Sequence, residues 1–82
     1  MPNIKPTRKY VKFTDEEMEA AAWCLNNGIA ISPIAVSTGS RKYFVEIISN
    51  GKRNNNGKQY DKLESQRMVY DYYTYFYNKN KQ

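Results

Sequence analysis

The segment Tyr43–Ser49, followed directly by Asn50 and Gly51, constrains the fold of this chain more than any other feature. Its residues are mostly aromatic or β-branched and only Glu46 is charged, which is typical of a central strand. Asn-Gly favours a two-residue hairpin turn because both residues tolerate positive φ. The sequence therefore predicts an antiparallel hairpin whose polar, marginal third strand starts at Lys52 and is limited by the run Asn54–Gly57.

The residues before this hairpin predict a partner strand. Their apolar positions alternate, but the alternation slips at Pro33. Because proline lacks the N–H that a ladder requires, it belongs on an edge strand or at a bulge. The apolar residues of this strand are Ile29, Ile31, Ile34 and Val36, and the turn that follows is Thr38–Ser40.

A first helix is predicted over Asp15–Asn26. Thr14 and Glu17 have the spacing of a capping box, and Phe13 with Met18 has that of a hydrophobic staple. Gly28 supplies a left-handed stop after the last turn. Four residues recur at helical spacing and are assigned to the core, namely Met18, Ala21, Ala22 and Leu25.

A second helix is predicted from Lys62 to Asn78, opened by Asp61 and Glu64 in another capping pattern. One stripe is assigned to the core and comprises Leu63, Gln66, Val69, Tyr70, Tyr73, Phe76 and Tyr77. A second stripe lies on a different side of the same helix and is expected to stay partly exposed; it comprises Met68, Tyr72, Tyr75 and Lys79.

The order of these elements predicts an α+β domain: a helix, a two- to three-stranded antiparallel sheet and a C-terminal helix, with both helices on one face of the sheet. A chain of 82 residues suits one domain. We assign residues 10–79 to that domain, residues 1–9 to an extended basic arm because of Pro2 and Pro6, and residues 80–82 to a tail.

The charges are segregated along the chain, whose formal net charge is +5. The first 13 residues carry only positive charge, residues 14–27 only negative charge, and residues 41–60 are positive apart from Glu46. This pattern favours an anionic partner, such as nucleic acid, an acidic protein surface or a membrane face. The alternative is that the charge only keeps a small protein in solution.

The inventory of reactive side chains argues against an enzyme. The chain has no histidine and one cysteine, Cys24, which is expected in the core of the first helix. The carboxylates Asp15, Glu16, Glu17 and Glu19 match the positive end of the helix dipole rather than a metal site. Gly51 and Gly57 lack the pattern of a phosphate loop. We therefore predict a binding protein without catalytic residues, cofactor, metal or small-molecule substrate.

The expected compartment is the cytoplasm or a virion assembled there. A lone cysteine fits a reducing compartment. No stretch approaches the roughly 18 apolar residues of a membrane-spanning helix, and residues 1–9 contain no apolar signal region. A membrane partner is therefore not expected.

Two binding surfaces are predicted. The first is the basic hairpin, with Asn54–Asn56 as further phosphate contacts and Tyr43 and Phe44 placed to stack on bases; its basic residues are Arg41, Lys42, Lys52, Arg53 and Lys58. The second is a protein interface rich in aromatic residues. It comprises Met68, Tyr72, Tyr75 and Lys79 of the second helix with Arg8 and Lys9 of the arm. The alternative for the first surface is an ordinary solvated hairpin. For the second, the alternative is that the tyrosine rings cover the sheet with their hydroxyls in water.

Part of the chain resembles the sheet-plus-helix DNA-binding domains of phage-type integrases and plant ethylene-response factors. The likeness covers residues 43–71: Tyr43 to Arg53, Gly57, Tyr60-Asp61, Glu64 and Tyr70-Asp71. In that family the sheet enters the major groove, so the resemblance implies DNA binding. Ser65, Val69 and Tyr73 replace the small helix residues of that family, and the first helix has no counterpart.

The whole chain is also similar to small proteins of tailed phages, especially crAss-like ones, which carry no assigned activity. The similarity lies in Phe13–Glu17, Trp23–Leu25, Lys42-Tyr43, Asn50–Lys52 and the tyrosine-rich last helix. The leading hypothesis is an auxiliary virion protein that cements capsid or neck subunits through its arm and last helix. The second is a DNA- or RNA-binding protein that uses the basic hairpin, and the third is a small inhibitor of a host protein.

Overall fold

The computed structural model of this protein describes residues 14–81 and has the predicted α+β architecture. Predictions that fall on residues 1–13, including the arm and the Phe13 staple, lie outside the described residues. The elements, in order, are α1 (Asp15–Asn26), β1 (Ile29–Ala35), β2 (Tyr43–Ser49), β3 (Lys52–Asn54) and α2 (Lys62–Lys81). The last helix therefore continues past Asn78, where the sequence predicted its end, and takes in two residues that had been assigned to the tail.

The sheet is an antiparallel meander in the order β1-β2-β3. The predicted central strand is central, and β1 is an edge strand, which is where Pro33 is tolerated. The third strand forms, with Ile48 opposite Arg53. Asn50 and Gly51 have φ values of 54° and 81°, as a type I′ hairpin turn requires.

The predicted start and stop of α1 are both confirmed. The Glu17 N–H donates to Thr14 Oγ1 at 3.2 Å, and the Thr14 N–H donates to Glu17 Oε1 at 2.9 Å, so the capping box is complete. After the last turn Gly28 has a φ of 77°, which a residue with a Cβ adopts only at a cost.

The predicted core face of α1 is wrong except at Ala21. Met18 and Leu25 are 53% and 57% exposed, and Ala22 is also exposed. The buried residues are Glu17, Ala20, Ala21 and Cys24. The physical reason is that α1 packs against the bulky side chains of α2, so small residues, rather than the most apolar ones, fit the contact between the two helices.

Helix α2 is buried on two adjacent sides because it lies against α1, β1 and β2. Met68 and Tyr72 are 0% exposed, so the prediction that they stay partly exposed is wrong. Val69 and Tyr73 are buried as predicted, whereas Leu63 is 53% exposed instead of lying in the core. The middle parts of the two stripes, at Met68, Val69, Tyr72 and Tyr73, therefore form one buried surface.

A buried ionic cluster joins the two helices. Arg67 is fully buried, and Glu17 and Asp71 are nearly so. The Arg67 guanidinium pairs with the Glu17 carboxylate through Nη2 and with Asp71 Oδ1 through Nε at 3.3 Å. Glu17 thus caps α1 and also binds α2. Removing one partner of such a cluster leaves a buried charge without compensation.

The two faces of the sheet have different surroundings. Ile31, Val45 and Ile47 are buried on the helix-covered face, where the Tyr73 hydroxyl accepts from the Ile31 N–H at 3.0 Å. Side chains alternate along each strand, so the intervening residues point away from the helices. We call that side the outer face; its residues are Ala30, Ser32, Ile34, Phe44, Glu46, Ile48 and Arg53.

Candidate nucleic-acid interface

The five basic residues predicted to bind phosphates are all exposed, and they follow one edge of the sheet. Two precede β2, two begin β3, and one lies in the loop that returns from β3 to α2. Tyr43 and Tyr60 hold this loop against the start of β2 with two backbone hydrogen bonds of 2.8 Å. We call this set the basic edge; its residues are Arg41, Lys42, Lys52, Arg53 and Lys58.

The length of the basic edge follows from strand geometry. Its two ends are separated by the length of β2, whose seven residues span about 20 Å at roughly 3.3 Å per residue. Long flexible side chains on such a line reach several successive phosphates of one nucleic-acid strand. The exposed cations therefore extend over about the length of one strand.

Asparagine side chains shape the loop that carries Lys58. Asn55 Oδ1 accepts from the Gly57 N–H at 2.7 Å, and Asn56 Oδ1 accepts from the Lys58 N–H at 2.9 Å. The Asn56 Nδ2 group donates to the hydroxyls of Tyr60 and Tyr72, both at 2.9 Å. Asn56 was predicted as a phosphate contact, yet in this structure its amide is bound within the fold.

Negative charge lies on the opposite side of the domain. Asp15, Glu16 and Glu19 are exposed on α1, which packs on α2 and β1, whereas β3 is the other edge of the sheet. Four of the thirteen basic residues and none of the eight acidic ones fall in residues 1–13, which leaves nine basic and eight acidic residues in the rest of the chain. The described domain therefore carries little net charge, and its exposed acids on α1 are separate from the cations around β2 and β3.

Glu46 is paired with one of these cations. It lies on the outer face of the sheet, and its Oε1 is 3.6 Å from Arg53 Nη1 across the hairpin. The Arg53 side chain is 72% exposed, and exposed pairs of this kind contribute at most about 1 kcal/mol. The guanidinium therefore remains accessible to an anion.

The pleat of β2 separates the two aromatic residues predicted to stack on bases. Phe44 lies on the outer face, whereas Tyr43 points to the other side and lines a cleft of about 430 Å³. Two further residues of this cleft, Lys62 and Leu63, were not predicted to lie beside Arg41. Their position there depends on how the loop after β3 folds back. The cleft is lined by Ser40, Arg41, Tyr43, Asp61, Lys62 and Leu63.

The predicted protein interface on α2 is not assembled as a surface. Met68 and Tyr72 are in the core, so neither side chain reaches a partner while the domain is folded. Tyr75 is half-buried and packs edge-on against Phe76, with ring centroids 5.3 Å apart. Lys79 Nζ lies 5.8 Å from the Tyr75 ring centroid. Arg8 and Lys9 lie outside the described residues.

An exposed apolar stripe on α1 was missed because its residues had been assigned to the core. Met18, Ala22 and Leu25 are spaced four and three residues apart and are all exposed, so they lie on one side of the helix. Exposed apolar residues that are grouped in this way are typical of protein contact sites. We call this set the apolar stripe.

The described residues offer little for catalysis. Cys24 is fully buried, and its thiol donates to the Tyr73 carbonyl at 3.5 Å. Burial raises the pKa of the thiol to about 11, so the reactive thiolate is scarce near neutral pH.

Within residues 14–81, no three acidic or cysteine side chains are grouped as metal ligands. Over the same residues, neither helix has the length and apolar character that crossing a membrane requires.

Comparison with protein-family models, curated proteins and solved structures gave no match to this chain. The resemblances to integrase-type domains and to tailed-phage proteins therefore stay predictions. The role of the basic edge rests on its own charge, exposure and geometry.

Proposed function

We propose that this protein is a non-enzymatic nucleic-acid-binding domain whose basic edge contacts the phosphate backbone. The observation that carries the proposal is the alignment of five exposed cations along one edge of the sheet, on the side of the domain away from the exposed acids of α1. A row of cations about 20 Å long matches a linear polyanion, and the residues do not form the enclosed site that a small anion requires.

The separation of the exposed α1 acids from the basic edge gives the binding a direction. With nine basic and eight acidic residues beyond residue 13, net charge supplies little general attraction. The exposed acids of α1 repel phosphates, so a polyanion approaches with α1 turned away from it. The four basic residues in the first 13 add to the attraction from their own segment.

Burial of Met68 and Tyr72 favours this function over a cementing role in a virion. That role depended in part on an exposed side of α2, and two of the four residues chosen there are in the core. All five residues of the basic edge, by contrast, are on the surface.

The test is a titration of labelled DNA and RNA oligonucleotides with the protein at several salt concentrations, followed by fluorescence anisotropy. Five phosphate contacts predict a slope of log K against log salt of about −3.5 for a single strand. Replacing Lys52, Arg53 and Lys58 together with alanine removes three contacts, so the slope should become shallower by about 2.

Lys79→Ala is the control, because Lys79 is an exposed cation outside the basic edge. It lies near the end of α2, beyond Thr74 and Tyr77, and these two residues line a cleft together with Glu16 and Glu19 of α1. This variant should bind as the wild type does. An affinity that is independent of salt, or a triple variant that binds no more weakly than Lys79→Ala, would contradict the proposal.

A second candidate function is the auxiliary capsid or neck protein, and the apolar stripe favours it. Met18 and Leu25 are more than half exposed, which suits a protein contact better than a nucleic-acid contact. If the protein is a virion component, it should sediment with assembled tailed-phage capsids, and Met18→Ser with Leu25→Ser should abolish that sedimentation. Equal sedimentation of the variant would exclude this surface as the contact.

A further inference from the structure

The outer face of the sheet carries two apolar pairs, which are separated by the polar pair Ser32 and Glu46. Ile34 is 43% exposed, and Phe44 and Ile48 are half-buried. Ile34 lies directly opposite Phe44 in the register, and Ala30 opposite Ile48. Both helices pack on the other face, where Ile31, Val45 and Ile47 are buried, so within residues 14–81 no helix covers this surface.

Cations lie at both ends of this face, each next to one of the two apolar pairs. The Val36 N–H donates to the Lys42 carbonyl at 3.0 Å, which extends the β1-β2 ladder by one pair and places Lys42 on the same side as Phe44. At the other end, Arg53 lies opposite Ile48. Alternate residues of a strand are about 6.6 Å apart, so each cation is one side chain away from an apolar residue.

The acidic content of this face is small. Of its described strand residues, only Glu46 is negatively charged, and its carboxylate is paired with Arg53. The outer face therefore combines an aromatic ring and two isoleucines with cations at both ends. A ligand that fits it has flat apolar groups joined by regularly spaced negative charges.

Unpaired nucleotides have this chemistry, and paired ones do not. In a duplex the faces of the bases are stacked on one another and cannot reach a sheet surface. In a single strand the bases can stack on an aromatic side chain while the phosphates contact neighbouring cations. A phenylalanine accepts any base, because every base has a π face.

We infer that the outer face binds unpaired bases of single-stranded nucleic acid, with Phe44 as the stacking residue, Lys42 as the phosphate contact beside it and Arg53 as a phosphate contact at the other end of the face. This inference rests on the proposed function and deepens it. The basic edge supplies attraction for any nucleic acid, and the outer face selects the single strand. Ile34, directly opposite Phe44, extends the platform on one side of the ring.

The test compares three labelled probes of about 12 nucleotides, a length within the range of single-strand binding sites: an oligothymidine, an abasic strand with the same phosphates, and a duplex. Wild-type protein should bind the oligothymidine most tightly. Phe44→Leu keeps an apolar side chain but removes the π face, so it should weaken oligothymidine binding about tenfold. Its affinity for the abasic strand and its salt dependence should stay unchanged.

Phe44→Trp serves as the rescue variant. It should restore oligothymidine affinity, and its additional fluorescence should be quenched by oligothymidine and not by the abasic strand. Circular dichroism and thermal melting of each variant check that the domain remains folded. A loss of affinity for all three probes in a folded Phe44→Leu protein would overturn the stacking role.

The two proposals fail in different ways. If wild-type protein binds the three probes equally and Phe44→Leu changes nothing, the inference is wrong while backbone binding by the basic edge stands. Tighter binding of the duplex also overturns the inference. If the wild type binds none of the probes at low salt, the proposed function fails, and the inference fails with it.

Discussion

The two faces of β2 show how one strand serves both stability and binding. Val45 and Ile47 are buried against the helices at 1% and 3% exposure, whereas Phe44, Glu46 and Ile48, which alternate with them, remain half-buried on the outer face. Phe44 and Ile48 are neighbours of Val45 and Ile47 in the sequence and are similarly apolar. What differs is the layer that they meet, so apolar character alone does not tell which residues stabilise the fold and which are available to a ligand.

The same contrast holds for charged pairs. The ionic cluster of Arg67, Glu17 and Asp71 is buried between the two helices. The pair of Arg53 and Glu46 lies on the outer face, and its guanidinium is mostly exposed. Water screens the second pair and is excluded from the first. Loss of the buried arginine should therefore unfold the protein, and loss of the exposed one should alter binding.

The largest expected effect is that of Arg67→Ala. It leaves the Glu17 and Asp71 carboxylates buried without their cation, which should lower the free energy of unfolding by about 3–5 kcal/mol. Arg53→Ala is the control and should lower it by no more than about 1 kcal/mol. Urea denaturation followed by circular dichroism measures both. Equal losses in the two variants would show that the buried and exposed pairs do not differ as described.

Val45→Ala should have the next largest effect. It removes two methyl groups from a side chain that is 1% exposed, and a loss of about 2 kcal/mol combines the transfer of those groups with the cavity that they leave. The same denaturation experiment measures it. A loss below that of the outer-face variant Ile34→Ala would reverse the assignment of the two faces.

The pH dependence of stability tests burial on the helix-covered side. Burial raises the pKa of Cys24 from 9.0 to about 11, so the folded state holds this proton more tightly than the unfolded state does. This tighter proton binding contributes fully to the free energy of unfolding below pH 9. The contribution falls as the pH rises, and about 2 kcal/mol of it is lost at pH 11. Burial also raises the pKa of Tyr73 from 10.0, which acts in the same direction.

Urea midpoints measured at about pH 8 and about pH 11 provide the comparison for this linkage. Cys24→Ala should show a smaller fall in stability between the two pH values, with Tyr73 accounting for part of what remains. An identical fall in wild type and variant would mean that the thiol does not contribute.

The smallest effect is expected from Ile34→Ala on the outer face. The residue is 43% exposed, so its loss removes part of a cross-strand contact with Phe44 and should cost less than about 1 kcal/mol. Thermal melting is sufficient to measure it. A cost as large as that of Val45→Ala would mean that the outer face is a second core and not a binding surface.

The sequence by itself determined the elements and their order, because the signals for them are local. The Thr14–Glu17 capping box joins residues three apart, and the Asn50-Gly51 turn depends on the φ preferences of two neighbours. Such signals act within a few residues and do not depend on distant parts of the chain. The bounds of α1, the central position of β2 and the third strand were predicted on this basis.

Only the tertiary structure decided which side of each helix is buried. The stripe Met18, Ala22 and Leu25 is more apolar than its neighbours, yet Ala20 and Cys24 face α2 because the large side chains of that helix leave room only for small ones. Helix α2 has aromatic residues on several sides, and its contacts with both α1 and the sheet determine that Tyr72 is inside.

Tertiary structure also assembled the candidate site. The basic residues were visible in the sequence, but their alignment along one edge depends on the Tyr43–Tyr60 backbone pairing, which brings the loop with Lys58 back beside β2. The i, i+4 spacing of Arg67 and Asp71 was a local signal that could have been seen. The pairing of Arg67 with Glu17, fifty residues away, could not have been seen, because attraction between charges acts through space and does not depend on sequence separation.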